Sequence, residues 1–430
     1  MKVLIKKLLP RFLLSWYHFL LAFLGALIYG FPSKKLIVVG VTGTNGKSTV
    51  VHLITEVLEK NDFKVASLSS IRFKIDKKEW PNMLKMTMPG RFKLQKFLRN
   101  AVKAKCKYAV LEITSEGIKQ YRHRFINFDG AVFTNLTREH LEAHKGFKNY
   151  KRAKGKLFRA LEKSSKKNKF AVLNIDDPSF EYFSGLFNGK KYTYGIKNQA
   201  EITPNKINLK ISLPGEFNIY NSLAAVGVAQ SLGLSPEKTL KILKSIKEIP
   251  GRMELITDKP FKVFVDYAHT PDSLIKVYET VKSQAPSNES RTVCVLGSCG
   301  GGRDKWKRPE MGKIAGDYCD EIILTNEDPY DENPNSIIKD IESGFPKFQI
   351  PALPVRPAGG PAGRSNFKFQ KILDRREAIN KALSLAKKND IVIITGKGCE
   401  SWICVANGKK IKWDDRRVVR EEFKKIYGKI

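Results

Sequence analysis

Apolar positions along this chain come mostly in short unbroken runs, not in alternation with polar ones. KKLIVVGVTG (34–43), KYAVLEIT (107–114), GAVFTNL (130–136) and FAVLNID (170–176) are runs of this kind. Such runs read as strands covered on both faces, the pattern of a parallel sheet. Between them, KSTVVHLITEVLEKNDF (47–63), RFKLQKFLRNAVKAKC (91–106) and YKRAKGKLFRALEKS (150–164) read as helices. The alternation predicts an α/β fold with a mostly parallel sheet covered by helices.

The texture changes at IPGRMELI (249–256). A second series follows: KVFVDYAHT, RTVCVLGS, EIILTNEDP and DIVIITGKG, with helices between. It predicts a Rossmann-like α/β domain. Three parts are expected: residues 1–34 as an apolar, membrane-associating helix, 35–248 as a central domain, and 249–430 as a C-terminal domain. Within the last, 349–366 is rich in Pro and Gly and reads as a surface loop. No internal repeat is visible.

Residues 12–31 are almost continuously apolar, softened only by Ser15, Tyr17 and His18. The length is close to the ~20 residues of a membrane-crossing helix. Lys2, Lys6, Lys7 and Arg11 precede it, and a simple crossing would put them opposite a cytosolic body, against the positive-inside tendency. A helix lying in the interface satisfies both ends. A spanning helix and one buried against the protein are the alternatives.

Charge changes the picture further. The chain holds 77 Lys plus Arg against 43 Asp plus Glu, a formal net charge of +34. Such an excess favours an anionic partner: a nucleotide, a nucleic acid or an acidic membrane face. Clusters such as KSSKKNK (163–169) lack interleaved aromatics, which argues against a single-strand binding groove and for no nucleic-acid partner. The six cysteines form no CxxC pair and read as structural thiols in a reducing, cytoplasmic compartment.

GVTGTNGKST (40–49) joins the first strand to the first helix. The strict phosphate-loop pattern fails by one residue, because Val41 stands where its first Gly belongs. The physics survives: Gly43 and Gly46 let backbone N–H groups of Gly43, Thr44, Asn45, Gly46, Lys47, Ser48 and Thr49 turn toward phosphates at a helix N-terminus. Lys47 supplies a point charge and Ser48 a magnesium ligand. The central domain therefore reads as a P-loop ATPase domain.

GTNGK(S/T) is the form this loop takes in the Mur ligase family. TMPGRFKLQ, LEITSEGIKQYR, NLTREHLEAH, YKRAKGKLF, GEFNIYNSLAA, IPGRMELI, VDYAHTPDSL, GSCGGGRDKWKRPEMG, LTNEDPYDENP, DRREAI and GKGCE follow in order. From about residue 35 to its end the chain resembles the MurE-type UDP-MurNAc-dipeptide synthetases, which add the third residue of the peptidoglycan stem peptide. The resemblance implies an ADP-forming acid–amino-acid ligase working through an acyl phosphate, in cell-wall biogenesis, cell shape and division. It implies ATP, two Mg²⁺ sites and a CO₂-derived carbamate on Lys154. Lys47, Glu112, His140 and Lys154 would be catalytic, with Ser48, Glu112, His140 and Lys154 at the metals. Asn221, Arg252, Asp266 and His269 would join the loop in binding ATP. Thr87, Thr114, Gln120 and Arg122 would hold the nucleotide-sugar peptide. Arg303, Glu327, Asp328, Gly396 and Glu400 would hold the free amino acid. Two domains sharing one nucleotide imply closure on binding, and a monomer is expected.

The pattern departs in three places. Thr114-Ser115-Glu116 replaces paired serines and a His. Glu327-Asp328-Pro329-Tyr330 replaces the Asp-Asn-Pro-Arg of diaminopimelate enzymes, losing a bidentate carboxylate clamp and favouring a cationic tail. L-lysine or another diamino acid is expected, with meso-diaminopimelate still open. The third departure is that few residues precede the first strand, so the small UDP-gripping domain is read as lacking and the enzyme as peripheral to the inner face of the membrane. Alternatives are a relative acting on a lipid-linked, polymeric or folate-like acceptor, or a non-catalytic nucleic-acid-binding P-loop protein.

Overall fold

The computed structural model describes residues 11–84, 86–346 and 367–428. It divides into two compact units. The first runs to Lys247, except that Glu139–Ala143 and Leu213–Glu216 group with the second, which continues from Glu248.

The first unit is built on eight strands: β1 (Ile37–Thr42), β2 (Val65–Leu68), β3 (Arg72–Ile75), β4 (Lys78–Pro81), β5 (Tyr108–Glu112), β6 (Gly130–Phe133), β7 (Phe170–Asn174) and β8 (Lys190–Tyr194). Their order is β4-β3-β2-β5-β1-β6-β7-β8. β2, β5, β1, β6, β7 and β8 run parallel, while β3 and β4 add an antiparallel edge. β1 lies centrally, with Val38, Val39 and Val41 fully buried. Its C-terminal end delivers the glycine-rich loop to the helix Lys47–Glu59. Side chains of Ala109, Leu111, Phe128, Phe133, Leu157 and Phe158 form the core beside it.

The helix Arg11–Ile28 packs on the helix Arg91–Lys103. Small residues permit the approach: Ala22 and Ala26 are buried, and a Cβ on Gly25 would lie 3.5 Å from Phe92 Cα. Among the described residues no helix is long and apolar enough to cross a membrane.

The second unit holds a six-stranded sheet: β9 (Glu254–Thr257), β10 (Lys262–Val265), β11 (Thr292–Leu296), β12 (Glu321–Leu324), β13 (Lys368–Lys371) and β14 (Ile391–Ile394). The order is β13-β12-β11-β14-β10-β9, parallel except at β10–β9. A small hairpin, β15 (Trp402–Cys404) with β16 (Lys410–Lys412), follows. The predicted loop 349–366 lies outside the described residues.

Candidate functional site

In the first unit the loop after β1 closes into a cradle. Gly43 has φ +151° and Gly46 φ +81°. Gly46 is the N-cap of the helix Lys47–Glu59, whose first turn has no acidic residue, so its N–H groups and dipole suit an anion. The cradle is held from outside. Asn135 O accepts from Thr44 N at 2.8 Å, and Asn135 Oδ1 from Asn45 N at 2.9 Å. Thr134 Oγ1 donates to Asn45 O at 2.7 Å. Thr44 Oγ1 meets Tyr150 OH at 3.1 Å. Neither Thr134, Asn135 nor Tyr150 was singled out by sequence reasoning, although Asn135 and Tyr150 open two of the quoted motifs.

Around this loop the structure gathers several expected residues. Lys47 Nζ donates to Thr44 O at 2.6 Å. Ser48 Oγ donates to Glu112 Oε2 at 2.7 Å and meets Ser70 Oγ at 2.7 Å. The same Glu112 oxygen accepts from Ser70 N at 2.9 Å, so the last residue of β5 is fixed facing the helix start. Lys154, buried on the helix Phe147–Glu162, donates from Nζ to Gly43 O at 2.5 Å. Thr49 is buried one residue beyond Ser48. Asn221 stands against Gly46: a Cβ there would be 2.4 Å from Asn221 Oδ1.

Among the described residues no three His, Cys, Asp or Glu side chains lie together as a metal cage. A hydroxyl beside a single carboxylate still fits magnesium, which completes its shell with phosphate oxygens and water. His140 groups with the second unit, so Glu112 and His140 belong to different units. There Lys307 Nζ donates to Glu139 Oε1 at 3.0 Å, and Asp304 accepts from Leu141 N and Glu142 N at 3.0 Å each.

Of the residues expected to hold the acceptor, Arg122 lines a cavity of about 440 Å³, together with Met86, Met88, Arg91 and Lys93 among others. Thr87, Thr114 and Gln120 are not part of its lining. Arg122 donates to Met88 O and, at 2.7 Å, to Gln120 Oε1. Burial lowers its pKa to about 10. Thr87 O accepts from Asn82 Nδ2 at 3.2 Å. Thr114 Oγ1 caps the helix Ser115–Lys119 by accepting from Gly117 N at 3.1 Å, leaving its hydroxyl proton for another partner.

In the second unit, Arg252 lies 4.4 Å from the Tyr267 ring centroid. Asp266 accepts backbone N–H groups with both oxygens, from Met253 at 2.7 Å and Ala268 at 2.6 Å. That carboxylate fixes the chain around Arg252. His269 Nδ1 pairs with Tyr267 O at 2.7 Å. Burial and the charge of Lys307 hold His269 well below its usual pKa.

The acidic cluster differs from the expectation that Glu327 and Asp328 both await a cationic ligand. Asp328 Oδ2 accepts from Lys397 Nζ at 3.0 Å and its Oδ1 from Cys404 N at 2.8 Å. Glu400 accepts from Lys397 Nζ at 2.5 Å and from Tyr267 OH at 2.9 Å. The chain's own lysine bridges this pair and offsets one of its two negative charges. Glu327 is 2% exposed, and its Oε1 accepts from Cys299 Sγ at 2.9 Å. Its Oε2 has no hydrogen-bond partner among the described residues and faces Gly396, where a Cβ would lie 2.5 Å away. Burial raises the Glu327 pKa. Arg303 is half-buried at the nearby loop.

The family model of the Mur ligase middle domain matches residues 41–229, and that of the Mur ligase glutamate ligase domain matches residues 251–398. The chain is 35% identical to the UDP-N-acetylmuramoyl-L-alanyl-D-glutamate–2,6-diaminopimelate ligase of Fusobacterium nucleatum, over 94% of this chain and 80% of the relative. It is 37% identical to the ligase of the same name from Parabacteroides distasonis, over 92% and 79%. A solved diaminopimelate ligase of that name superposes with a TM-score of 0.57 at 29% identity, covering 91% of this chain and 79% of that one. With both domain models matched in order, and relatives of this similarity covered over most of their length, the chain belongs to the Mur ligase family.

Proposed function

We propose that this protein is an ATP-dependent, ADP-forming ligase that joins a diamino acid to a UDP-MurNAc-dipeptide-like acceptor in peptidoglycan precursor synthesis. The observation that carries the reading is the cradle of Gly43–Thr49, with Lys47, the Ser48–Glu112 pair and Lys154 around it. ATP phosphates would lie on the N–H groups of the helix start, with Lys47 bearing on the outer ones. Ser48 and Glu112 would hold magnesium, which lowers the charge repulsion between ATP and the acceptor carboxylate. Transfer of the γ-phosphoryl makes an acyl phosphate and ADP. The amine of the incoming amino acid then attacks, forming the amide and releasing phosphate and a proton. His140 and a carbamate on Lys154 would serve a second magnesium. Asn221, Arg252, Asp266 and His269 would position the nucleotide. Thr87, Thr114, Gln120 and Arg122 would hold the acceptor. We place the enzyme as a monomer in the cytoplasm, against the inner face of the cell membrane through residues 1–34.

Side-chain geometry supports a diamino acid. Asp328 and Glu400 are bridged by Lys397. Glu327, although the charges of Lys397 and Arg375 favour its ionised form, keeps a buried oxygen with no hydrogen-bond partner among the described residues, a costly arrangement until a charged donor arrives. The side-chain ammonium of L-lysine, or of meso-diaminopimelate, would supply it. Arg303 would face the amino acid's own carboxylate. Glu327→Gln keeps the shape and removes the charge. It is expected to raise KM for the amino acid by about 10²-fold, the scale of a lost buried charge pair, with ATP affinity unchanged. Equal KM values in variant and wild type, from steady-state kinetics, would remove Glu327 from the specificity pocket.

The reaction itself is tested by phosphate release from ATP with Mg²⁺, bicarbonate and UDP-MurNAc-L-Ala-D-Glu. L-lysine and meso-diaminopimelate are offered separately and products weighed by mass spectrometry. Release that needs both acceptor and amino acid is expected. Protein that binds ATP yet turns over with neither pair would redirect the reading to a different acceptor.

A further inference from the structure

The helix Arg11–Ile28 has two unlike faces. Its inner face is tied to the first unit: Ala22 and Ala26 are buried, Ser15 Oγ meets Tyr121 OH at 2.7 Å, and His18 meets Arg91. Its outer face bears Leu13, Trp16, Tyr17, Leu20, Leu27 and Ile28, all exposed, Trp16 at 68% and Ile28 at 66%. At the helical period these six fall within an arc of roughly 120°. A surface helix ordinarily carries charged residues on that arc. Here none of the six is charged, and a contiguous apolar patch of this kind marks an interaction site.

The rim of the patch is cationic. Phe125 packs on Phe19 and Phe23, with centroids 5.2 and 5.4 Å apart. Beside it, Arg124 lies 5.7 Å and Lys156 lies 6.0 Å from the Tyr121 ring. At the other end Lys34 Nζ lies 5.2 Å from the Phe31 ring, which approaches Phe23 at 6.5 Å. Lys34, Lys35, Arg124 and Lys156 are exposed. The sequence of residues 1–35 contains six Lys and Arg and no Asp or Glu. A second copy would set cation rim against cation rim, whereas anionic headgroups above an acyl layer complement both parts of the surface. Trp16 and Tyr17 are the residue types that settle at that boundary.

We propose that this face docks in the plane of an anionic lipid bilayer, with the apolar arc in the acyl boundary and the cation rim on the headgroups. The inference deepens the membrane location given in the proposed function, on which it rests, by naming the contacting side chains and the orientation. Arg91 touches His18 of this helix and lines the same cavity as Arg122, so docking brings that cavity near the headgroups.

The test is flotation of the full-length protein with phosphatidylcholine vesicles, with and without phosphatidylglycerol. Flotation with the anionic vesicles is expected, weakening as salt screens the headgroups. Trp16→Glu with Leu20→Glu should lower the bound fraction by about tenfold or more, while circular dichroism and phosphate release with a soluble acceptor stay at wild-type levels. Lys34→Glu with Arg124→Glu should erase the preference for anionic vesicles. Wild type that does not float, or a glutamate variant that floats equally, overturns the proposal. So does a wild-type dimer in light scattering that the glutamate variant dissociates, since that makes a second copy the occupant. Flotation reads the face without turnover, so a failed ligase assay leaves this test intact.

Discussion

Gly43→Ala is expected to slow ATP turnover severely and to destabilise the first unit. The new Cβ would stand 1.9 Å from Thr134 Oγ1 and 3.0 Å from both N and O of Asn135. Thr134 cannot simply turn away, because its hydroxyl holds Asn45 O at 2.7 Å. Asn135 cannot retreat without releasing the N–H groups of Thr44 and Asn45. The backbone at φ +151° adds strain of its own. Clash and strain together cost on the order of 2–5 kcal/mol, worth about 2–4 °C of melting temperature per kcal/mol in a unit of this size. Displacing the cradle by about 1 Å should slow turnover by roughly 10²-fold or more. Gly233→Ala is the control. Gly233 also has positive φ, +72°, but nothing lies within 4 Å of its Cβ position. It should lose only about 1 kcal/mol and keep full turnover. Calorimetry and a phosphate-release assay on both variants decide the matter. Equal activity in the two would mean that the loop does not bind phosphates.

The two glycines mark a limit of sequence reading. A glycine-rich turn between strand and helix identifies a cradle, but only the folded packing shows which glycine has no room for a side chain. The central strands were legible for a related reason. β1, β5, β6 and β7 are covered on both faces and must be apolar at nearly every position. β4, reading KEWP, and β13, reading KFQK, are largely exposed edge strands, with no apolar run to announce them. β2 and β3 lie in a stretch broken by polar residues; pairing with β5 defines β2, and pairing with β2 defines β3.

The candidate site divides along the same line. Motifs gave residue types, and Glu112 as a strand-end carboxylate followed from the apolar run before it. What Asp328 does with its charge was hidden, because its partner Lys397 is 69 residues away. Reading Glu327 and Asp328 as an acidic pair awaiting a cation was sound for two side chains taken alone, and the folded chain changes the count by contributing a cation of its own. The apolar leader shows the same dependence. Residues 12–31 read as greasy all round, and only packing on the helix Arg91–Lys103 separates an inner face from an outer one.

Lys154→Ala should lower turnover by roughly 10²–10³-fold, the scale of losing one preorganised electrostatic group from a phosphoryl-transfer site. The loss alone would not identify the chemistry, because a bare ammonium and a carbamate are both lost with the side chain. Lys154 is buried, donates to Gly43 O and lies 4.5 Å from the Tyr150 ring. An ammonium there attracts phosphate but repels magnesium. Reaction of the neutral amine with CO₂ forms an N–C bond, releases a proton and leaves a carboxylate-like anion that attracts the metal instead. The two states therefore respond oppositely to small molecules. If the carbamate acts, wild-type turnover falls when CO₂ is purged and returns with bicarbonate. Formate or acetate then restores part of the activity of Lys154→Ala, and Lys154→Arg, always cationic, stays inactive. If the ammonium acts, purging changes nothing, Lys154→Arg keeps partial activity, and methylamine rather than formate rescues the alanine variant. Indifference to bicarbonate combined with rescue by an amine would sink the carbamate and leave the second magnesium without its anionic ligand.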